Sequence, residues 1–273
     1  MTHPQVFSNG KILAQENISA AFLDENEINV FETMLAQNGK IFLLDDHLKR
    51  LFESAKTTGV RAPSEFEIKK ELEEVVSKIS KERSCIRVTL FREQVVTFVF
   101  KRAHQTDIYK KGVVLKTSAV KRSSSESMRP EAKTGQFLNG ILADLDPQAR
   151  DSFETLFLDR EGYIKEARIW NIFIVKKGSL KTPIPSGILD GVTRRFVIKC
   201  TFQEQIGVLE TSLTRHDVWN AEEAFLTNTS GGIVPILSLD GRLIGTKIPG
   251  MVTERLSRRF ETELNRELKN SND

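Results

Sequence analysis

The stretch ETLFLDREGYIKEARIWNIFIVKKG, residues 154–178, alternates apolar runs with turn residues, and its spacing decides the fold. Strands are expected in ETLFLD, YIKEARI and NIFIVKKG, joined by turns at Arg160-Glu161-Gly162 and Lys177-Gly178. Connections this short join antiparallel neighbours, because a parallel pair needs a crossover of a dozen or more residues. The same signature recurs on both sides. Upstream, Asn9-Gly10 in VFSNGKIL and Asn38-Gly39 in NVFETMLAQNGKIFLL are hairpin-turn dipeptides. CIRVTLFREQVVTFVF reads as two strands rich in β-branched residues, turning at Arg92-Glu93-Gln94. Downstream, WNAEEAFLTNTSGGIVPILSLDGRLIG returns to strands with a turn at Asp240-Gly241.

Helices separate these strand groups. Around HLKRLFESAKTT, Leu44, Leu48, Leu51, Phe52 and Ala55 recur at helical spacing, with Asp45-Asp46 expected as the N-cap and Gly59 as the stop. Further helices are expected from about residue 64 to 81, around FLNGILADL, over VTRRFVIKCTFQEQIG behind Gly191, and over VTERLSRRFETELNRE. The polar run RSSSESMRPEAK, 122–133, reads as a loop feeding a helix. A composition shift at KRAHQTDIYKK places a domain boundary near residue 106, giving domains 1–106 and 107–273. The class is α+β, with two mixed or antiparallel sheets and helices around them.

Composition narrows the function. The 273 residues carry 40 basic and 37 acidic side chains, a net charge of +3, with both signs interspersed. This argues against a nucleic-acid protein. No apolar run approaches the ~18 residues a membrane span needs, and MTHPQVFSNGKI lacks a signal-peptide layout, so no membrane association and a cytoplasmic location are expected. Cys85 and Cys200 each sit in an apolar segment and read as buried thiols, with neither a disulfide framework nor a metal site expected.

Seven phrases occur in order: VFET at 30–33, FLLDDHLKRLFESA at 42–55, IRVTLFR at 86–92, KTGQFLNGILA at 133–143, GYIKEARIWNIFIVKKGSLKTP at 162–183, LDGVTR at 189–194 and TNTSGGIVPI at 227–236. None is specific alone. Collinear and correctly spaced, together they resemble the fold-type IV pyridoxal-phosphate enzymes: branched-chain and D-amino-acid aminotransferases and 4-amino-4-deoxychorismate lyase. The resemblance covers roughly residues 26 to 256. It implies a smaller N-terminal α/β sandwich and a larger C-terminal pseudo-barrel of mixed strands with helices, the cofactor between them.

It also implies roles for particular residues. Lys133 stands at the position of the Schiff-base lysine, and the chemistry needs an amine that can act as nucleophile and proton shuttle. Glu166 matches the glutamate set against the pyridine nitrogen, where a carboxylate keeps that nitrogen protonated and the ring electron-withdrawing. Arg50, Val192, Thr193 and Thr229 match the phosphate cup; LDGVTR supplies a helix N-terminus whose free N–H groups and dipole favour a dianion. Arg92 matches an arginine that receives a substrate carboxylate in some members. Phe31 stands where relatives line the pocket with an aromatic ring.

This chain departs from the pattern in three places. Where relatives carry small residues and serines, Ala167, Arg168, Ile169 and Trp170 fill the gap, so hydroxyls that elsewhere support the cofactor are absent, or Arg168 holds an anion instead. ENEINVFE replaces a glycine-rich phrase before VFET. Glu93 replaces a glycine after Arg92, which sends the hairpin loop on a different path. The implied activity is transamination between an amino acid and a 2-oxo acid by a homodimer. The alternative is a lyase that releases pyruvate and 4-aminobenzoate with the same lysine.

Overall fold

The structure is a computed structural model and describes residues 5–8, 11–12, 28–79, 81–91, 94–101, 106–122, 130–135, 140, 142–143, 145 and 151–269. The Asn9-Gly10 turn, Arg92 and Glu93, most of the loop expected over 122–133 and most of the helix expected over 137–145 lie outside the described residues. The chain divides into two compact units. The first comprises residues 1–103, 132–136 and 264–273; the second comprises 104–131 and 137–263.

In the first unit, β1 (Gln5–Ser8), β2 (Lys11–Ile12), β3 (Val30–Gln37), β4 (Lys40–Ile41), β5 (Ser84–Phe91) and β6 (Gln94–Phe100) form an antiparallel sheet in the order β2-β1-β6-β5-β3-β4. Alternation along β3 sends Val30, Glu32, Met34 and Ala36 to one face and Phe31 and Thr33 to the other. The first face is covered by α1 (Leu44–Thr58) and α2 (Glu65–Lys78), and Leu48, Leu51, Ile68, Leu72 and Val75 pack against it without solvent exposure. Removing such side chains from water stabilises by roughly 1.5–3 kcal/mol each, so this two-layer core holds the sheet in register.

The ends of these elements follow local rules, with one correction. Asn38 and Gly39 take positive φ of 54° and 74°, the conformation that the β3–β4 turn needs. Ser64 caps α2 in a reciprocal capping box with Glu67. Asp45-Asp46, by contrast, do not cap α1. The N-cap is Leu43, left-handed at φ 53° and without a side-chain cap, and the two aspartates lie in the first turn. There they still favour the positive end of the helix dipole.

The second unit contains α3 (Ile108–Lys111), β7 (Val113–Thr117), β8 (Glu154–Leu158), β9 (Ile164–Ala167), β10 (Asn171–Lys176), β11 (Ser179–Thr182), α4 (Val192–Gln203), β12 (Val208–Glu210), α5 (Arg215–Trp219), β13 (Glu223–Asn228), β14 (Gly232–Leu239) and β15 (Arg242–Leu243). Helix α6 (Met251–Leu268) begins in this unit and ends in the first. The sheet order is β12-β11-β10-β13-β14-β7-β8-β9, with β15 paired to β14. Hairpins give the antiparallel pairs β8/β9, β10/β11 and β13/β14, while β7/β8, β7/β14 and β11/β12 are parallel. The sheet curls as a half-barrel, and Ala167 N donates to Trp170 O at 2.8 Å to close the tight turn from β9 into β10. The α+β class expected from the sequence holds. Cys85 and Cys200 are both buried thiols outside any disulfide, and burial pushes the Cys200 thiol up to about 12.

Candidate functional site

In the first unit, Lys133 is fixed by its own backbone. Phe31 N donates to Lys133 O at 3.1 Å, and Lys133 N donates to Ser54 Oγ of α1 at 3.0 Å. Thr134 bridges to Val30 and Gly135 N donates to Asn29 O, so residues 133–135 run antiparallel along β3. Gly135 is required by this approach: a Cβ there would fall on the Asn29 side chain. The Lys133 Nζ lies 4.7 Å from the centre of the Phe31 ring. The structure therefore brings Lys133 and Phe31 together, with Phe31 half-buried rather than part of the core.

Behind them, on the helix-covered face of β3, Glu32 is fully buried. Its Oε1 accepts from Arg50 Nε at 2.6 Å and its Oε2 from Arg50 Nη2 at 2.8 Å, a bidentate pair. His47 Nδ1 lies 2.7 Å from Oε2, which places the ring proton on Nδ1. Burial raises the Glu32 carboxyl, but the Arg50 guanidinium and the His47 bond outweigh it and hold the group well below the usual carboxylate range. Burial also lowers His47, against the raising effect of Glu32, so the imidazole is neutral near neutral pH. Arg50 is thus a buried, oriented cation. The alternation of VFET carried the signal for this network, because it sets Glu32 on the same face as Val30 and Met34. A charge on a core face requires a partner.

Arg87 was not singled out from the sequence. On β5, paired opposite Thr33, its guanidinium stacks 3.6 Å from the centre of the Phe31 ring on the other face of the sheet. Burial pushes its pKa down, and among the described residues no carboxylate pairs with it. Arg92, the arginine expected to meet a carboxylate, lies outside the described residues. The signal for Arg87 was its register: it shares a face with Phe31, two positions along the paired strands.

In the second unit, Glu166 near the end of β9 is 5% exposed. Its carboxylate accepts from Arg122 Nη2 at 2.6 Å, from Leu189 N at 3.2 and 3.3 Å, and from Asn171 Nδ2 at 3.4 Å. Asn171 Nδ2 also donates to Leu189 O at 2.9 Å, which ties the loop before α4 to β10. Arg122 and Leu189 lie far from Glu166 in the chain, and no local pattern announced either partner. Arg168, one of the residues in place of the relatives' small ones, donates from Nε to the buried Glu154 carboxylate at 3.2 Å.

Val192 and Thr193 open α4 behind Gly191, and this N-terminus has no side-chain cap. The first N–H groups of a helix have no partners within it, so they are available to an outside acceptor. Thr193 Oγ1 lies 3.3 Å from Thr229 Oγ1, which the loop between β13 and β14 presents. Two hydroxyls beside an uncapped N-terminus offer hydrogen-bond donors of the kind an anion accepts from. Arg194, fully buried, secures its base by donating to Asp190 Oδ1, Pro183 O and Glu210 Oε2 at 3.0, 2.8 and 2.6 Å.

The profile of the family described as Amino-transferase class IV matches residues 29–239. The branched-chain-amino-acid aminotransferase of Pseudomonas aeruginosa is 30% identical over 254 residues, covering 85% of this chain and 83% of that protein. Among solved structures, the branched-chain aminotransferase of Thermoproteus uzoniensis with norvaline is similar at a TM-score of 0.84 and 29% identity, covering 96% of this chain and 95% of that one. The T.th. branched-chain amino acid aminotransferase with pyridoxamine 5'-phosphate is similar at 0.87 and 26% identity, covering 96% and 94%.

Proposed function

Because the chain belongs to the class IV aminotransferases, and so is a pyridoxal-phosphate-dependent enzyme, we propose that it moves amino groups between branched-chain amino acids and a 2-oxo acid. The branched-chain assignment is supported by what the similar enzymes are named for, and these names favour transamination over the lyase alternative. When bound, pyridoxal phosphate supplies a carbonyl that links to amines and a ring that withdraws electrons from the substrate's α carbon.

The chain's own residues divide the remaining work. Lys133 Nζ would hold the cofactor's carbonyl carbon, and as a free amine it would take up the substrate's α proton. Its backbone, pinned to β3 and α1, holds that amine in place, and this is the observation that carries the proposal. Glu166, paired with Arg122 at 2.6 Å, would set a carboxylate against the ring nitrogen and favour its protonated form. The phosphate is held by the first N–H groups of α4 at Val192 and Thr193 and by the hydroxyls of Thr193 and Thr229. The resemblance gives Arg50 a phosphate role as well; within its own unit the guanidinium is oriented by Glu32. Phe31 lines the substrate pocket with Arg87, which receives a carboxylate that Arg92 was expected to bind; a half-buried guanidinium on the Phe31 ring, with no carboxylate partner among the described residues, favours that reading. By the same reading the enzyme is a cytoplasmic homodimer. Among the described residues, no helix is long and apolar enough to cross a membrane.

The deciding experiment follows the visible absorption of the purified protein while L-leucine, L-valine and D-alanine are added, with 2-oxoglutarate as acceptor. The branched-chain L-amino acids should bleach the band and yield glutamate; bleaching by D-alanine alone would overturn the substrate assignment. Lys133→Ala should abolish the band and lower turnover by at least roughly 10²–10⁴-fold. Turnover at the wild-type rate would remove Lys133 from its role.

A further inference from the structure

The Trp170 indole is almost completely buried, at 3% exposure. Trp170 ends the turn over 167–170 that leads from β9, which carries Glu166, into β10. One side of the ring packs on Phe153, with centroids 5.8 Å apart and planes 56° apart. The Cη2–Cζ3 edge fills the space directly in front of the Gly231 Cα, where a Cβ would fall inside the ring. Only glycine lets the backbone come this close.

Gly231 closes the loop over 228–231 between β13 and β14. Within that loop, Asn228 Oδ1 accepts from Gly231 N at 2.6 Å and from Ser230 Oγ at 3.3 Å. Asn228 Nδ2 reaches across to Ile169 O at 3.4 Å, and Tyr109 Oη donates to Gly231 O at 3.0 Å. The loop is therefore clamped onto the turn that holds Trp170. Its outer residue is Thr229, whose hydroxyl meets that of Thr193 at 3.3 Å.

We propose that Trp170 is a positioning residue: by filling the space under Gly231 it sets the height of the Thr229 loop against the N-terminus of α4, and so the shape of the phosphate seat. This rests on the reading of Thr193, Thr229 and the α4 N-terminus as that seat. A rigid ring with two torsions does by packing what the missing serine hydroxyls do elsewhere by hydrogen bonding. Both threonines reach one phosphate only while their separation is held. A hydrogen bond weakens steeply once its geometry is lost, so a void beneath the loop is felt first in phosphate binding.

The test compares the affinity of the cofactor-stripped protein for pyridoxal 5'-phosphate and for pyridoxal, which lacks the phosphate. Wild type should prefer the phosphate ester strongly; equal affinities would show that the seat reading is wrong, and the role of Trp170 falls with it. Trp170→Ala should cut the preference by about tenfold or more, a loss of about 1.4 kcal/mol, while pyridoxal affinity stays within about twofold. Gly231→Ala should do the same by collision with the indole. Combining it with Trp170→Phe, whose shorter ring withdraws the colliding edge, should restore the preference to within about threefold of wild type. The proposal is overturned if Trp170→Ala weakens both ligands by one factor, or if Gly231→Ala is equally harmful beside Trp and Phe. Should Trp170→Ala fail to fold, the Phe and Gly231 variants decide.

Discussion

Glu32, His47 and Arg50 form a buried network in which two groups stand away from their ordinary ionisation. Glu32→Gln removes the charge that compensates Arg50, whose side chain is 7% exposed. Leaving a buried cation without its partner costs about 3–5 kcal/mol, and urea denaturation of the variant should register it. The pH dependence follows from the directions of the two shifts. His47 is lowered in the fold, so the unfolded chain takes up a proton first as pH falls below about 6.5, and stability declines from there. Glu32 is also lowered, so its contribution is present above the ordinary carboxylate range and is lost only as pH falls below it. Arg50 and Lys133 face the imidazole and deepen its shift. The unfolding free energy should therefore fall as pH drops below about 6.5, and His47→Asn, which keeps a donor near Nδ1, should flatten that slope. An equal slope in both proteins would assign the decline to other groups.

At the scale of elements, helix termini carry both stability and chemistry, and two of them are handled in opposite ways. The α6 N-terminus is closed: the buried Glu223 carboxylate accepts from Val252 N at 2.9 Å and Thr253 N at 2.7 Å. A charge-assisted cap of this kind contributes about 1–2 kcal/mol, so Glu223→Ala should lower the urea midpoint accordingly, with Glu223→Gln falling between. The α4 N-terminus is left open, with no side-chain cap. A helix N-terminus without a side-chain cap offers its first N–H groups to an outside acceptor, which a capped one does not. Elements also differ in how far the chain announces them. Hairpins at Asn38-Gly39 and Asp240-Gly241 and the helices over 65–78 and 192–203 follow from turn chemistry and periodicity. β12, three residues long, and α5, five residues long, carry too few residues for any periodicity to register.

At the scale of the whole molecule, the first unit is assembled from separate segments of chain, and the last of them is its C-terminus. Leu264 and Leu268 of α6 are buried there, Asn38 Nδ2 donates to Leu268 O at 3.2 Å, and Arg83 Nη2 donates to Asn265 Oδ1 at 3.1 Å. A chain ending at Glu263 should be destabilised by about 4 kcal/mol or more, mostly from the two leucines, and thermal unfolding should show it.

The amino-acid sequence by itself determined what depends on neighbours along the chain: the α+β class, most turns and helices, and, through collinear motifs, the family, with Lys133, Glu166, Thr193 and Thr229 as its candidate site residues. Turn dihedrals and the 2- and 3.6-residue periods are local properties, so they are legible without a fold. Only the tertiary structure decided the partners: Arg50 and His47 on Glu32, Arg122 on Glu166, Glu154 on Arg168, Arg87 on Phe31 and Gly231 under Trp170. The members of each pair stand many residues apart and meet because strand order and register place them together. Their energies come from excluding water around groups that no local pattern links, which is why a chain read one segment at a time names the site residues and leaves their contacts unstated.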